Sequence, residues 1–382
     1  MALGMSAVTL ASAQTVYLTG STAFRGNVFT ALSTDNIVFH PAPAVTTYGG
    51  KGSGSTFMAF VGTPKGGSGT LTVLCDWSGS EAGISDVATP GGASEAFPNP
   101  PYDGLNDAGN PTTFTHAVDI AMADNNTQFS RIYGFLPNPP AALTSKTEVG
   151  IVTFKWVRNK GLWTGSNVTD SQIRQALNLG GVQAVFSGNS ADNNNFVYVS
   201  GRDNSSGTRV NAFGNTEFGI FGVPSQIEIS TGGAMQDLNP PNGTYFGDFG
   251  FSSGGTLAGT MGADTTTATD QIFGGTGFSV IAYLGVSDAA TALTAGATEL
   301  SYNGVPFSVA NVEEGTYTFW GNEYICEKNG AVAPATTVFS QLAGATGIAS
   351  TIPVGGGSTP SALRLTDMHT SRPGPTGDPA HN

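Results

Sequence analysis

The stretch FVYVSGRDNSSGT, residues 196–208, decides how the chain is read. An apolar run gives way to Arg202, then to Ser206, Gly207 and Thr208, and a short helix is expected to follow. A β-strand feeding a loop of hydroxyls and backbone amides at a helix start is a physical recipe for holding an oxyanion, because that helix end carries unsatisfied N–H groups and partial positive charge. The arginine adds a planar, charge-assisted donor. Ser-Gly-Thr is a weak signal by itself, since it recurs at residues 68–70 in a chain with 54 glycines. The neighbouring segments must therefore carry the argument.

A length of 382 residues suggests two domains, or one domain with a large insertion. Hydrophobic residues make up 39% and permit a core, whereas charged residues reach only 11%, well below the roughly 25% of ordinary soluble proteins. Gly, Ser, Thr and Asn supply the polarity instead, a balance that fits loop-rich, extracytoplasmic surfaces. Fourteen Lys+Arg against 27 Asp+Glu give a net charge of −13, which argues against nucleic acid or an anionic membrane as partner. An anionic ligand would need locally arranged donors. Residues 1–14, MALGMSAVTLASAQ, read as the apolar region and Ala11-Ser12-Ala13 cleavage site of a secretory signal without its usual basic start. No other apolar run approaches the roughly 18 residues needed to span a bilayer.

Cys75 and Cys326 are far apart and lack Cys or His neighbours, so neither a metal cluster nor a redox motif is expected; one disulfide or two buried thiols both remain open. His40, His116, His369 and His381 are scattered singly and receive no role.

From the N-terminus, Val16, Tyr17 and Leu18 read as a strand. Residues 19–22, TGST, read as a turn and cap, and Phe24, Val28 and Leu32 recur at helical spacing. Residues 48–56, YGGKGSGST, form a glycine-rich loop without the Walker order, so a nucleotide P-loop is rejected and Ser53 is its most useful polar group. Residues 71–74 read as a strand, with Asp86 following in GISDV. Residues 89–110 and 137–142 are rich in Pro, Gly and Asn and are expected to be surface excursions with little regular structure. VGIVTFKWV, residues 149–157, is the kind of β-branched run that crosses between domains inside a sheet. Thr169 and Gln172 form a capping box before the apolar face of Ile173, Ala176 and Leu177. After the opening stretch, residues 231–275 are expected to hold loops, 278–284 a strand, Asn303-Gly304 a turn, 317–325 an aromatic strand and 338–342 a short helix. The tail from residue 370 reads as disordered. Alternating strands and helices imply an α/β fold with mostly parallel sheets and ligands at strand ends.

Taken in order, these loops resemble those of the periplasmic phosphate-binding protein family, the substrate-binding receptors of phosphate ABC transporters. LTGSTAF (18–24) is similar to the family's first anion loop and GKGSGST (50–56) to its second. GISDVA (83–88) is similar to the segment bearing the ligand-binding aspartate, and GRDNSSGT (201–208) matches the arginine and Ser-Gly-Thr spacing. VTDSQIRQAL, VFSGN and NGVPFSVANVEEGTYTFWGNEYI look like further landmarks, so the likeness covers roughly residues 16–325. It departs where the first loop is shorter than usual, where Arg25 replaces a common proline, and where Asn204 stands in place of a frequent acidic residue.

The resemblance implies a two-lobed, periplasmic-binding-protein-like α/β fold. Its expected divisions are a signal at 1–14, a first lobe at 15–153 completed by 322–365, a second lobe at 154–321, and a tail at 366–382. It implies a phosphate site of Thr22, Ala23, Phe24, Ser53, Asp86, Arg202, Ser206, Gly207 and Thr208, with no cofactor, no metal and no enzymatic role. Phosphate is the expected ligand and ABC-transporter permease subunits the expected partners of a secreted monomer. Monohydrogen phosphate carries a proton that Asp86 can accept, whereas sulfate does not, so that aspartate would reject sulfate. Arg25 is expected to be an uninvolved surface residue. The alternative is a structural, self-associating extracellular protein that keeps this fold. An enzyme finds little support, since no nucleophile, carboxylate pair or metal cluster stands at a recognisable spacing.

Overall fold

A computed structural model describes residues 13–89, 94–102, 111–131, 143–372 and 380–381. The strands are β1 (Gln14–Gly20), β2 (Ala44–Thr47), β3 (Phe57–Gly62), β4 (Leu71–Asp76), β5 (Ser94–Pro98), β6 (Thr113–Ala117), β7 (Ile120–Ala123) and β8 (Ser145–Arg158). They continue as β9 (Asn167–Val168), β10 (Gly181–Val182), β11 (Phe196–Ser200), β12 (Ser279–Gly285), β13 (Thr298–Tyr302), β14 (Trp320–Glu327) and β15 (Ala362–Leu363). The helices that matter for the site are α1 (Arg25–Ser33), α2 (Ser80–Ala88), α3 (Asp170–Leu179), α4 (Gln183–Ser187), α5 (Gly207–Asn215), α6 (Gly254–Thr260) and α7 (Val286–Thr294). Farther along lie α8 (Val309–Glu313), α9 (Ala335–Ala343) and α10 (Ile348–Thr351).

Most strands join one sheet in the order β10-β11-β12-β8-β14-β7-β1-β4-β3-β2, with β13, β9 and β15 attached beside β8. Parallel pairs sit on either side of the centre: β1 with β4 and β7, and β11 with β12. The expected crossing run, residues 149–157, lies inside β8. Ser145–Thr153 of that strand pair antiparallel with β14, while Phe154–Arg158 pair with β12. One continuous strand thus serves both ends of the sheet. β12 is buried along its whole length, so it reads as an unbroken apolar run and not as an alternation. The core passes across the same junction, where Trp156 stacks on Phe319 with ring centroids 5.3 Å apart.

The local signals translate as their chemistry dictates. Thr169 Oγ1 accepts from the Gln172 amide at 3.3 Å and Gln172 Oε1 accepts from the Thr169 amide at 2.9 Å, completing the capping box of α3. Asn303 and Gly304 both adopt positive φ, 52° and 82°, the mirror-image turn that reverses the chain after β13. Cys75 and Cys326 are buried free thiols, and burial pushes the Cys326 thiol up to about 12.

Four expectations need amendment. Inside 89–110, Ser94–Pro98 form a strand paired with β6, because Phe97 is fully buried against Tyr17 at 4.9 Å. Within 231–275, Ser253 caps α6, which buries Leu257. The tail begins docked: Arg372 donates to Asn215 Oδ1 at 2.9 Å and lies 4.4 Å over the Trp320 ring. Gln14, placed at the end of the expected signal, opens β1 and pairs with Leu71. The rest of that signal through residue 12, and the excursion at 137–142, lie outside the described residues.

Candidate functional site

β1 ends at Gly20, and the chain turns through Ser21, Thr22 and Ala23 into α1. Ser21 Oγ accepts from the Phe24 amide at 3.0 Å, so a serine outside the helix satisfies one of its first N–H groups. Phe24 is fully buried and anchors the turn. Thr22 and Ala23 are left facing a cavity of about 480 Å³. The same cavity is lined by Ser53 and Gly54 from the glycine-rich loop, by Ser287 and Asp288 at the start of α7, and by residues 353–362. Two of the four expected anion loops therefore meet at one opening, at the N-terminal end of α1, where the helix dipole favours negative charge.

Arg25 is the charge that sequence reasoning set aside. It opens α1, lines the cavity, and its Nη2 lies 4.0 Å from where a side chain on Gly54 would begin. Burial draws its basicity down, the Asp288 carboxylate opposes that, and Arg202 adds to it. Asp288 faces the same space. Burial raises its pKa above the ordinary carboxyl range, and Arg25 and Arg202 pull the other way. Its carboxylate rests on the start of α6, with Oδ2 2.0 Å from where a Gly254 Cβ would stand. The signal that could have placed Arg25 here was its position three residues after Thr22, on the half-buried first turn of the helix.

Arg202 is 2% exposed. Its Nε donates to the Phe251 carbonyl at 2.9 Å and its Nη2 to the Ser252 carbonyl at 2.8 Å and to Thr22 Oγ1 at 3.4 Å. The contact to Thr22 links the loop after β11 to the loop after β1, residues 180 apart in sequence. Behind Arg202, Arg209 is fully buried, donates to the Arg202 carbonyl at 3.1 Å and pairs with Asp248.

Ser206, Gly207 and Thr208 lie against protein. Ser206 caps α5, accepting from the Arg209 amide at 3.2 Å. A Cβ on Gly207 would stand 2.5 Å from Ser80 Oγ and 2.8 Å from Asn125 Oδ1, so only glycine allows that approach. Thr208 Oγ1 donates to Asp124 Oδ2 at 3.2 Å. None of the three lines the cavity.

Asp86 stands apart as well. It lies in the last turn of α2, 4% exposed, among Val87, Ala88 and Phe97. Burial, then the hydrogen bond and charge of Glu95 and the charge of Asp76, push it up to about 8. Burial and Glu95 push Asp76 up to about 7. The first turn of α2 carries Glu81. The Glu81 amide donates to the Ser205 carbonyl at 2.9 Å, and its side chain accepts from Asn125, Ser130 and the Arg131 amide. GISDVA falls within α2, and Asp86 does not line the cavity.

No protein-family model and no curated protein matches the chain. Among solved structures it is similar to a candidate phosphate ABC transporter substrate-binding protein with bound phosphate from Clostridium perfringens, at 11% identity, covering 92% of this chain and all of that one, with a TM-score of 0.49. It is similar to an ABC-type phosphate transport receptor from Vibrio cholerae at 13% identity, with coverage of 89% and 97% and a TM-score of 0.42. It is also similar to PstS from Borrelia burgdorferi at 13% identity, with coverage of 87% and 94% and a TM-score of 0.36. Among the described residues no helix is long and apolar enough to cross a membrane, and no group of three or more His, Cys, Asp or Glu is placed to hold a metal ion.

Proposed function

We propose that this protein is an extracytoplasmic solute-binding protein that captures inorganic phosphate in the cavity at the start of α1 and presents it to an ABC transporter. The observation that carries the reading is the Arg202–Thr22 contact, which joins the two sequence-distant anion loops beside a cavity that Thr22 and Ser53 already line. Phosphate meets the hydroxyls of Thr22 and Ser53, the guanidinium of Arg25 and the first amides of α1, with Ala23 shaping the floor. Charge-assisted hydrogen bonds of this kind contribute about 1.5–3 kcal/mol each. Arg202 braces Thr22 from behind. Asp288 discriminates against higher anionic charge on that side of the cavity.

The chain then divides into a first lobe of 15–153 with 322–365 and a second of 154–321, moving about the β8 and β14 crossings. Isothermal titration of the protein with inorganic phosphate tests the reading. Saturable one-to-one heat at micromolar phosphate is expected, and its absence sinks the proposal.

A further inference from the structure

One hydroxyl that sequence analysis assigned to a bound anion, that of Thr208, already meets a carboxylate of the protein itself. Asp124 follows β7 and is 2% exposed. Its Oδ1 accepts from Ser21 Oγ in the loop after β1, and its Oδ2 accepts from Thr208 Oγ1 at 3.2 Å in the loop after β11. Its main chain is held on both sides: the Asp124 amide donates to Ser80 Oγ at 3.1 Å, and Asn211 Nδ2 donates to both the Asp124 carbonyl and the Gly207 carbonyl, at 2.8 and 3.0 Å. Glu323 lies beside it, fully buried. Burial first, and then Asp124, push the Glu323 carboxyl well above its ordinary range.

Packing brings the neighbouring elements close together. A Cβ on Gly79 would stand 2.4 Å from the Ser205 carbonyl oxygen, and one on Gly207 would collide with Ser80 and Asn125. The start of α2 is thus pressed onto the Ser-Gly-Thr loop at two glycines.

We infer that Asp124 is a resident anion at this position. It locks the Ser206–Gly207–Thr208 loop to the loop after β1, so that solute is admitted only on the outer side, at Thr22, Arg25 and Ser53. The inference rests on the phosphate reading above and narrows it. A dianion cannot share the inner position with a carboxylate, because like charges at hydrogen-bonding distance repel without solvent between them.

Calorimetric titration of the full chain with inorganic phosphate tests this, using Asp124→Asn, Asp124→Ala and, separately, Thr208→Val. Asp124→Ala, which takes away the side chain that fills the position, is expected to tighten phosphate binding at least tenfold, and Asp124→Asn, whose amide still fills it, by a smaller factor through loss of the charge. Thr208→Val, whose hydroxyl is committed to Asp124, is expected to keep the parent affinity within twofold while lowering the melting temperature. That variant keeps the inference testable if the Asp124 variants do not fold. If the parent binds phosphate and both folded Asp124 variants bind no tighter, the inference falls while the phosphate reading stands. A tenfold loss in Thr208→Val also overturns it, because that hydroxyl would then be a ligand. If neither the parent nor any variant binds, both fall.

Discussion

Replacing Arg25 with alanine is expected to weaken phosphate binding about tenfold and leave the fold intact. The side chain opens α1 and faces the cavity, and the charge it offsets there is the Asp288 carboxylate, which Arg202 also faces. A charge-assisted hydrogen bond to an oxyanion contributes about 1.5–3 kcal/mol. Arg25 is only partly buried and shares its field with Asp288. Solvent screening therefore places its contribution near the lower end, about 1.5 kcal/mol, and 1.4 kcal/mol corresponds to a factor of ten in Kd. The assay is isothermal titration with phosphate at low ionic strength and again at about 0.15 M salt, where the Debye length is about 8 Å. The tenfold effect should shrink at the higher salt, and the melting temperature should match the parent. A Kd within twofold of the parent at low salt, in a variant that melts normally, refutes the placement of the anion beside Arg25.

Asp288→Asn should do the opposite. Removing a carboxylate that lines the same cavity relieves like-charge repulsion on a dianion, so about five- to tenfold tighter phosphate is expected by titration. Asp86→Asn should leave the phosphate-to-sulfate ratio unchanged, since that carboxyl lies outside the cavity; a changed ratio would return it to the site. The same variant should alter stability against pH. Folding raises the pKa of Asp76 to about 7 and of Asp86 to about 8, above their unfolded values near 4. The stability these groups contribute as neutral acids is complete below pH 4 and is lost as pH rises through 7 and 8. Thermal melts should therefore fall between about pH 4 and 8 and level off above, and Asp86→Asn should flatten that fall; a parent melting curve independent of pH over this window would contradict the assignment.

Much of the architecture was legible because local chemistry and tertiary context agree. The capping box at Thr169, the Asn303-Gly304 turn and the β-branched run in β8 each specify their backbone independently of distant partners. The β5 strand was obscured because its evidence is one aromatic, Phe97, whose burial depends on Tyr17 80 positions away in sequence. The site was legible only in part. Thr22, Ala23 and Ser53, assigned from their loops, line one cavity, and Arg202 reaches Thr22 beside it. Thr208 could not be placed from sequence, because its partner Asp124 lies in IAMAD, a plain strand ending in an acid, with nothing to mark it as an internal counter-ligand. Asp86 lies inside α2 beside Glu95 of the β5–β6 hairpin, a burial that its own segment does not signal. Arg25 was set aside because a lone arginine on the first turn of a helix looks the same whether or not a cavity opens in front of it.

The most direct test of the account is a crystal structure of the protein grown with phosphate. The account predicts tetrahedral density against Thr22, Arg25 and Ser53, with Asp124 still bonded to Ser21 and Thr208. Phosphate seated instead on Ser206, Gly207 and Thr208, or no phosphate in the cavity at saturating concentration, would contradict it.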